Sequence, residues 1–112
     1  MKKKVILLTN DKLGNGAPEL GETLLETFFV LLKQEDELPA AVFCLNRGVF
    51  ALTESSLASL HLKELNDAGV PVLACKTCIE FYDLGDKLVA GEISTMKAFV
   101  NLAAEHEVLT IG

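Results

Sequence analysis

The chain has 112 residues, of which 50% are hydrophobic and 23% charged, and its formal net charge is −6. This length allows one domain of ordinary size, and the apolar fraction excludes a largely disordered chain. The acidic balance argues against a nucleic-acid partner, because such binding depends on lysine and arginine neutralising phosphates. No apolar run approaches the roughly 20 residues that cross a bilayer, so we also expect no membrane partner.

The amino terminus imitates a signal peptide, with Lys2–Lys4 followed by the apolar run Val5–Leu8. That run ends at Thr9, short of the about 7–15 apolar residues that a secretory signal needs. The three cysteines form an odd set in a chain that has enough apolar residues to build a core without disulfides. We therefore expect a cytoplasmic protein.

The first half of the chain predicts two strands and two helices. Short apolar runs over 4–9 and 40–45 are typical of strands that are buried on both faces. Large apolar residues recur at helical spacing from Leu20 to Leu32, and Pro18 suits the first turn of that helix. A second helix follows and is predicted to end at Gly69, because glycine readily adopts the left-handed conformation that ends many helices. Its candidate N-caps are Thr53, Ser55 and Ser56.

The second half continues the alternation. A short helix is predicted over 77–84, and a last helix is predicted to begin at Ser94 or Thr95. The predicted strands lie at 70–74, 87–90 and 108–111. Repeated strand–helix–strand units imply right-handed crossovers. The sequence therefore predicts a single three-layer α/β domain over residues 1–112, with a mostly parallel sheet and helices on both faces.

Ligands of such sheets bind outside the carboxyl ends of the strands, which here means the loops 10–18, 46–53 and 75–78. The glycine-rich first loop does not match a nucleotide-binding motif. Glu19 stands where a dinucleotide fingerprint needs glycine, and Glu22 stands where a phosphate loop needs lysine. Both carboxylates would repel a phosphate at the helix N-terminus. A flexible turn before a helix is the favoured interpretation.

The loop after the third predicted strand contains Cys75-Lys76-Thr77-Cys78, a C-x-x-C motif at a strand-to-helix junction. A helix N-terminus and the neighbouring Lys76 both favour a thiolate, which is the nucleophilic form of cysteine. In thioredoxin-type chemistry the first cysteine attacks and the second resolves. The alternative is a pair of small buried apolar residues. The sequence favours reactive thiols with catalytic roles for Cys75 and Cys78.

Other polar residues follow the strands near this motif. Asn46 and Gly48 come directly after the second strand, where they either bind an anion or form a left-handed turn. Tyr82 lies one turn beyond Cys78 and either lines a pocket or packs against a neighbour. Together with Asn10, which follows the first strand, these residues complete the predicted pocket, in which Lys76 and Thr77 also take part.

A zinc site would need two ligands besides the C-x-x-C pair. The candidates Cys44, His61 and His106 do not follow a ligand spacing, so we expect no bound metal. Cys44 lies in a buried strand, and packing is its expected role. No residue pattern calls for an organic cofactor either.

The chain resembles the DsrE/DsrF-like sulfur-relay proteins over nearly its whole length, and within them the C-terminal domain of YedF-type selenium-metabolism proteins. The most specific motifs are Cys75-x-Thr77-Cys78 and Asp86-Lys87-Leu88-x-x-Gly91-Glu92-x-Ser94-x-Met96. Further matches are Glu19-Leu20-Gly21, Asp36-Glu37-Leu38-Pro39, Asn46-x-Gly48-Val49, Leu62-Lys63-Glu64-Leu65 and Gly69-Val70.

The resemblance implies a DsrE-like fold that assembles into oligomers. It also implies that Cys75 accepts a persulfide sulfur and hands it on, with Cys78 as a second acceptor or a resolving thiol. YedF-type proteins carry an additional TusA-like domain. We expect that this chain lacks that domain and that a separate TusA-like sulfur-carrier protein is a partner. Some family subunits have no relay cysteine and serve only as scaffolds.

We therefore expect a cytoplasmic carrier or transferase of sulfur or selenium. An alternative is a non-catalytic interaction subunit of an oligomeric sulfur-relay complex, whose apolar helix faces bury against other chains. A chain of this size buries only about 60–70% of its unfolded surface alone, so oligomerisation would stabilise it. A third hypothesis is a thiol–disulfide oxidoreductase.

Overall fold

A computed structural model describes residues Met1–Gly112. The five strands are β1 (Lys4–Leu8), β2 (Ala41–Cys44), β3 (Val72–Cys75), β4 (Glu92–Ser94) and β5 (Glu107–Ile111). The four α-helices are α1 (Pro18–Leu32), α2 (Ser59–Asp67), α3 (Lys76–Phe81) and α4 (Met96–Glu105). A 3₁₀ segment spans Asn46–Leu52 between β2 and α2. No helix combines the length and the hydropathy that crossing a membrane would require.

The strands form one sheet in the order β4-β3-β2-β1-β5, and every neighbouring pair is parallel. In register, Leu8 lies opposite Cys44, Cys44 opposite Ala74, and Cys75 opposite Ser94. The carboxyl ends of the central strands therefore meet at one edge, where ligands bind in sheets of this kind. The predicted α/β fold class is confirmed.

The two faces of the sheet are covered unequally. One face carries Val42 and Val72 and packs into the main hydrophobic core with Leu25 and Phe29 of α1 and Leu62 of α2. The opposite face packs against α4 alone. There, the rings of Phe43 and Phe99 lie 5.1 Å apart, yet no residue of α4 is fully buried.

Several predicted helix boundaries are confirmed. Pro18 occupies the first turn of α1. Thr95 caps α4, where its hydroxyl accepts a hydrogen bond from the Ala98 N–H at 3.1 Å. Gly69 follows α2 with a φ of +100°, a conformation that a side chain disfavours.

Two predictions about local structure are wrong. The predicted strand over 87–90 forms no ladder: Leu88 makes an isolated bridge to Thr53, and the edge strand is β4 instead. The second helix begins at Ser59 and not within the cluster of hydroxyl residues at 53–56. Thr53 and Ser55 bond to each other at 2.8 Å. The Ser56 hydroxyl accepts the N–H of Ala58 at 3.2 Å, before the helix has begun.

The 3₁₀ segment lies directly against the end of β1. A Cβ on Gly48 would lie 2.1 Å from the carbonyl oxygen of Leu8, far inside contact distance. The same carbonyl accepts the N–H of Leu45 at 3.0 Å, which fixes the path of the chain as it leaves β2. Glycine is required at position 48 because the backbone of β1 occupies the place of a side chain.

The substitution Gly48→Ala tests this close approach. We expect it to lower the free energy of unfolding by about 1–3 kcal/mol, because the backbone must shift to accept the methyl group. Gly16→Ala is the matched control, since a Cβ at Gly16 meets nothing within 4 Å, and its expected effect is within about 0.5 kcal/mol. Chemical denaturation measures both. Equal stabilities of the two variants would contradict the packing described here.

Candidate functional site

The two cysteines of the motif lie together at the carboxyl edge of the sheet. Cys75 is the last residue of β3, and Cys78 lies in the first turn of α3. Residues three apart on a helical turn are neighbours, so the two cysteines lie on the same side of the turn where β3 leads into α3. Cys75 is only 3% exposed, whereas Cys78 is half-buried, and both are free thiols. The predicted catalytic pair is thus an inner and an outer thiol.

Asn46 supplies a hydrogen-bond donor to the outer thiol. Its backbone N–H donates to Cys78 Sγ at 3.1 Å. This orientation accompanies a φ of 51°, a left-handed conformation that asparagine tolerates better than most residues. The first residue of the 3₁₀ segment is therefore the group that bonds to the sulfur.

The side chain of Asn46 is held in turn by Tyr82. The Tyr82 hydroxyl donates to Asn46 Oδ1 at 2.7 Å. The Tyr82 ring packs edge-on against Phe50, with ring centroids 4.8 Å apart. Tyr82, in the turn that ends α3, thus joins that helix to the 3₁₀ segment on either side of the thiol pair.

Arg47 extends this arrangement to the loop after β1. Its guanidinium lies 4.4 Å from the centroid of the Phe50 ring, and it also donates to Asp11 Oδ2 at 3.2 Å. No motif in the sequence pointed to Asp11 or Phe50. The residue that could have indicated this contact is Arg47, a cation between Asn46 and Gly48 at the end of β2. In the structure that arginine is already paired with a carboxylate.

The pKa of the Cys78 thiol is shifted in the direction opposite to the one that the sequence predicts. Burial raises the pKa of the Cys78 thiol above its ordinary value; the Asn46 N–H opposes this, and the neighbouring Cys75 raises the pKa further. The helix N-terminus was expected to lower the pKa, but α3 has only six residues and so few aligned peptide dipoles. Cys78 is thus protonated at neutral pH.

The remaining predicted pocket residues form no hydrogen bond with the two thiols. Lys76 and Thr77 are exposed, and neither forms a side-chain hydrogen bond or salt bridge. Consecutive helical residues do not face each other, so Lys76 does not share the face of Cys75. Asn10 Oδ1 accepts the N–H of Asp11 at 2.8 Å and does not bond to a cysteine. Gly48 acts through packing, by letting the 3₁₀ segment approach β1.

The third cysteine is chemically separate from the pair. Cys44 is fully buried in β2, and this burial raises its pKa to about 12. No group of three or more His, Cys, Asp or Glu side chains has an arrangement that could hold a metal ion. His61 contacts Lys33 at 2.8 Å and Glu26 at 3.2 Å, which links α1 to α2. His106 bonds to a backbone carbonyl of its own helix.

The largest cleft, of about 690 Å³, does not contain the thiols. It lies beyond Phe50, between the segment that includes Thr53 and Ser55 and the loop that includes Asp86 and Lys87. Neither cysteine lines this cleft.

No protein-family model matches the chain, and no curated protein matches it. Solved structures do. The ychN protein from E. coli aligns with 99% of this chain and 100% of its own, with a TM-score of 0.73 and 24% identity. MTH1491 from Methanobacterium thermoautotrophicum, a protein of unknown function, aligns with 96% of this chain and 97% of its own, with a TM-score of 0.63 and 18% identity. The chain thus shares the α/β fold of ychN.

Proposed function

We propose that this protein is a sulfur carrier of the sulfur-relay type that accepts sulfane sulfur as a persulfide on Cys75, with Cys78 as its partner thiol. The observation that carries the proposal is the pair of neighbouring free thiols at the carboxyl edge of the sheet, where β3 leads into α3. A backbone N–H donor from Asn46 is directed at the same pair. The likeness to ychN supports a fold that suits this role.

The two thiols have complementary properties for this chemistry. The thiolate of Cys75 attacks the outer sulfur of a donor persulfide, a new S–S bond forms, and the donor leaves as a thiolate. The Cys78 thiol stays protonated because burial raises its pKa. The burial of Cys75 shields the resulting persulfide from water and oxidants.

The proposal includes the finer expectations from the sequence. A TusA-like protein would exchange sulfur with this chain, and selenium could take the place of sulfur because the two elements share this chemistry. The location would be the cytoplasm, where free thiols such as these stay reduced.

Intact-mass spectrometry after exposure of the reduced protein to glutathione persulfide tests this function. We expect the wild type to gain one sulfur atom, Cys75→Ser to gain none, and Cys78→Ser to keep the gain. Cys44→Ala is the control and should load like the wild type, because Cys44 is fully buried. If Cys75→Ser took up sulfur as well as the wild type, the assignment of the acceptor would be wrong.

A second candidate function, a non-catalytic subunit of an oligomer, is favoured by one feature of α4. Met96 and Val100 lie one turn apart on its outer side, and Val100 is 57% exposed. Ile93 of β4 and Val108 of β5 are also exposed, at the two opposite edges of the sheet. Exposed apolar side chains one turn apart on a helix are typical of a surface that buries against another chain.

Light scattering over a range of concentrations tests this assembly. We expect the wild type to form an oligomer and Val100→Lys to shift it toward a monomer, because a charge in an apolar contact is desolvated without a partner. Asn101→Lys adds the same charge at an exposed polar position of α4 and should leave the oligomer unchanged. A wild type that is monomeric at every concentration would contradict this candidate function.

A further inference from the structure

We infer that the site also discharges its sulfur as hydrogen sulfide, with Cys78 as the resolving thiol that displaces sulfide from a persulfide on Cys75. This inference rests on the proposed function and adds a second activity to it. A simple carrier needs one acceptor cysteine and a partner that collects the sulfur. This site has a second free thiol one helical turn from the acceptor.

The geometry brings an attacking group to the acceptor sulfur. Cys78 lies three residues after Cys75 across the junction of β3 and α3. Residues three apart on a helical turn have Cα atoms about 5 Å apart, within the range of about 4.4–6.8 Å that a disulfide needs. Cys44 cannot take this part, because it is fully buried and its pKa is raised to about 12.

The step balances without an external oxidant. The Cys78 thiolate attacks the Cys75 sulfur of the persulfide, a Cys75–Cys78 disulfide forms, and the outer sulfur leaves as HS⁻ with its electron pair. The sulfane sulfur is reduced to sulfide, and the two cysteines supply the two electrons. A dithiol reductant then restores both thiols and readies the pair for another donor.

Asn46 and the burial of the pair act on this step in opposite directions. The Asn46 N–H donates to Cys78 Sγ and favours the thiolate, which is the attacking form. Tyr82 holds Asn46 through its side-chain oxygen. Burial and the neighbouring Cys75 raise the pKa of Cys78, so the thiolate is scarce at neutral pH. This scarcity slows the discharge, so the persulfide persists at neutral pH.

Single-turnover measurement of sulfide tests the inference. Reduced protein is loaded with glutathione persulfide, freed of small thiols by gel filtration, and followed by a sulfide electrode and by intact mass. The wild type should release one sulfide per loaded site and end as the disulfide, two hydrogens lighter than the reduced protein.

Cys78→Ser and Cys78→Ala should load but retain the added sulfur, while Cys44→Ala should release sulfide like the wild type. A wild type that gains no sulfur would contradict the proposed function itself. A wild type that loads but holds its sulfur at every pH would contradict the discharge alone. Release of sulfide by the Cys78 variants as fast as by the wild type would also contradict the discharge. Either of these last two results would leave the carrier function intact.

Discussion

The close approach of the 3₁₀ segment to the end of β1 is the constraint on which the site depends. The absence of a side chain at Gly48 lets the segment lie on the Leu8 carbonyl. This path leaves Asn46 in a left-handed conformation directly after β2, with its N–H directed at Cys78. Tyr82 then joins Asn46 to the end of α3. The site is therefore held in place by the ends of β1 and β2. A change in the packing at the end of β1 would alter the environment of the thiols.

The chemical asymmetry of the two thiols follows from this geometry. Cys75 lies inside at the strand end and Cys78 lies outside it, beside the backbone donor of Asn46. One hydrogen bond favours the Cys78 thiolate, while burial and the second sulfur disfavour it. A pair balanced in this way can hold a transferred sulfur and also contains the group that can expel it. The same two residues thus account for both proposed activities.

The sequence predicted the central strands well because β1, β2 and β3 are short apolar runs. The prediction failed at the edge of the sheet that β4 forms. The run 87–90 is apolar enough to suggest a strand but makes only one bridge, whereas β4 reads Glu-Ile-Ser and has exposed residues. The cysteine pair was visible from its spacing. The hydrogen-bond donor to Cys78 was not visible in the sequence, because it is a backbone N–H. Its direction depends on φ at Asn46 and on the packing at Gly48, and tertiary contacts set both.

The most direct test of the central claim is a high-resolution crystal structure of Cys78→Ser after loading with glutathione persulfide, since this variant should trap the carried sulfur. The account predicts electron density for one added sulfur bonded to Cys75 Sγ, with the Asn46 N–H still directed toward residue 78. Unmodified Cys75 in a protein whose mass shows an added sulfur would place the acceptor elsewhere. That result would contradict the function proposed for the pair.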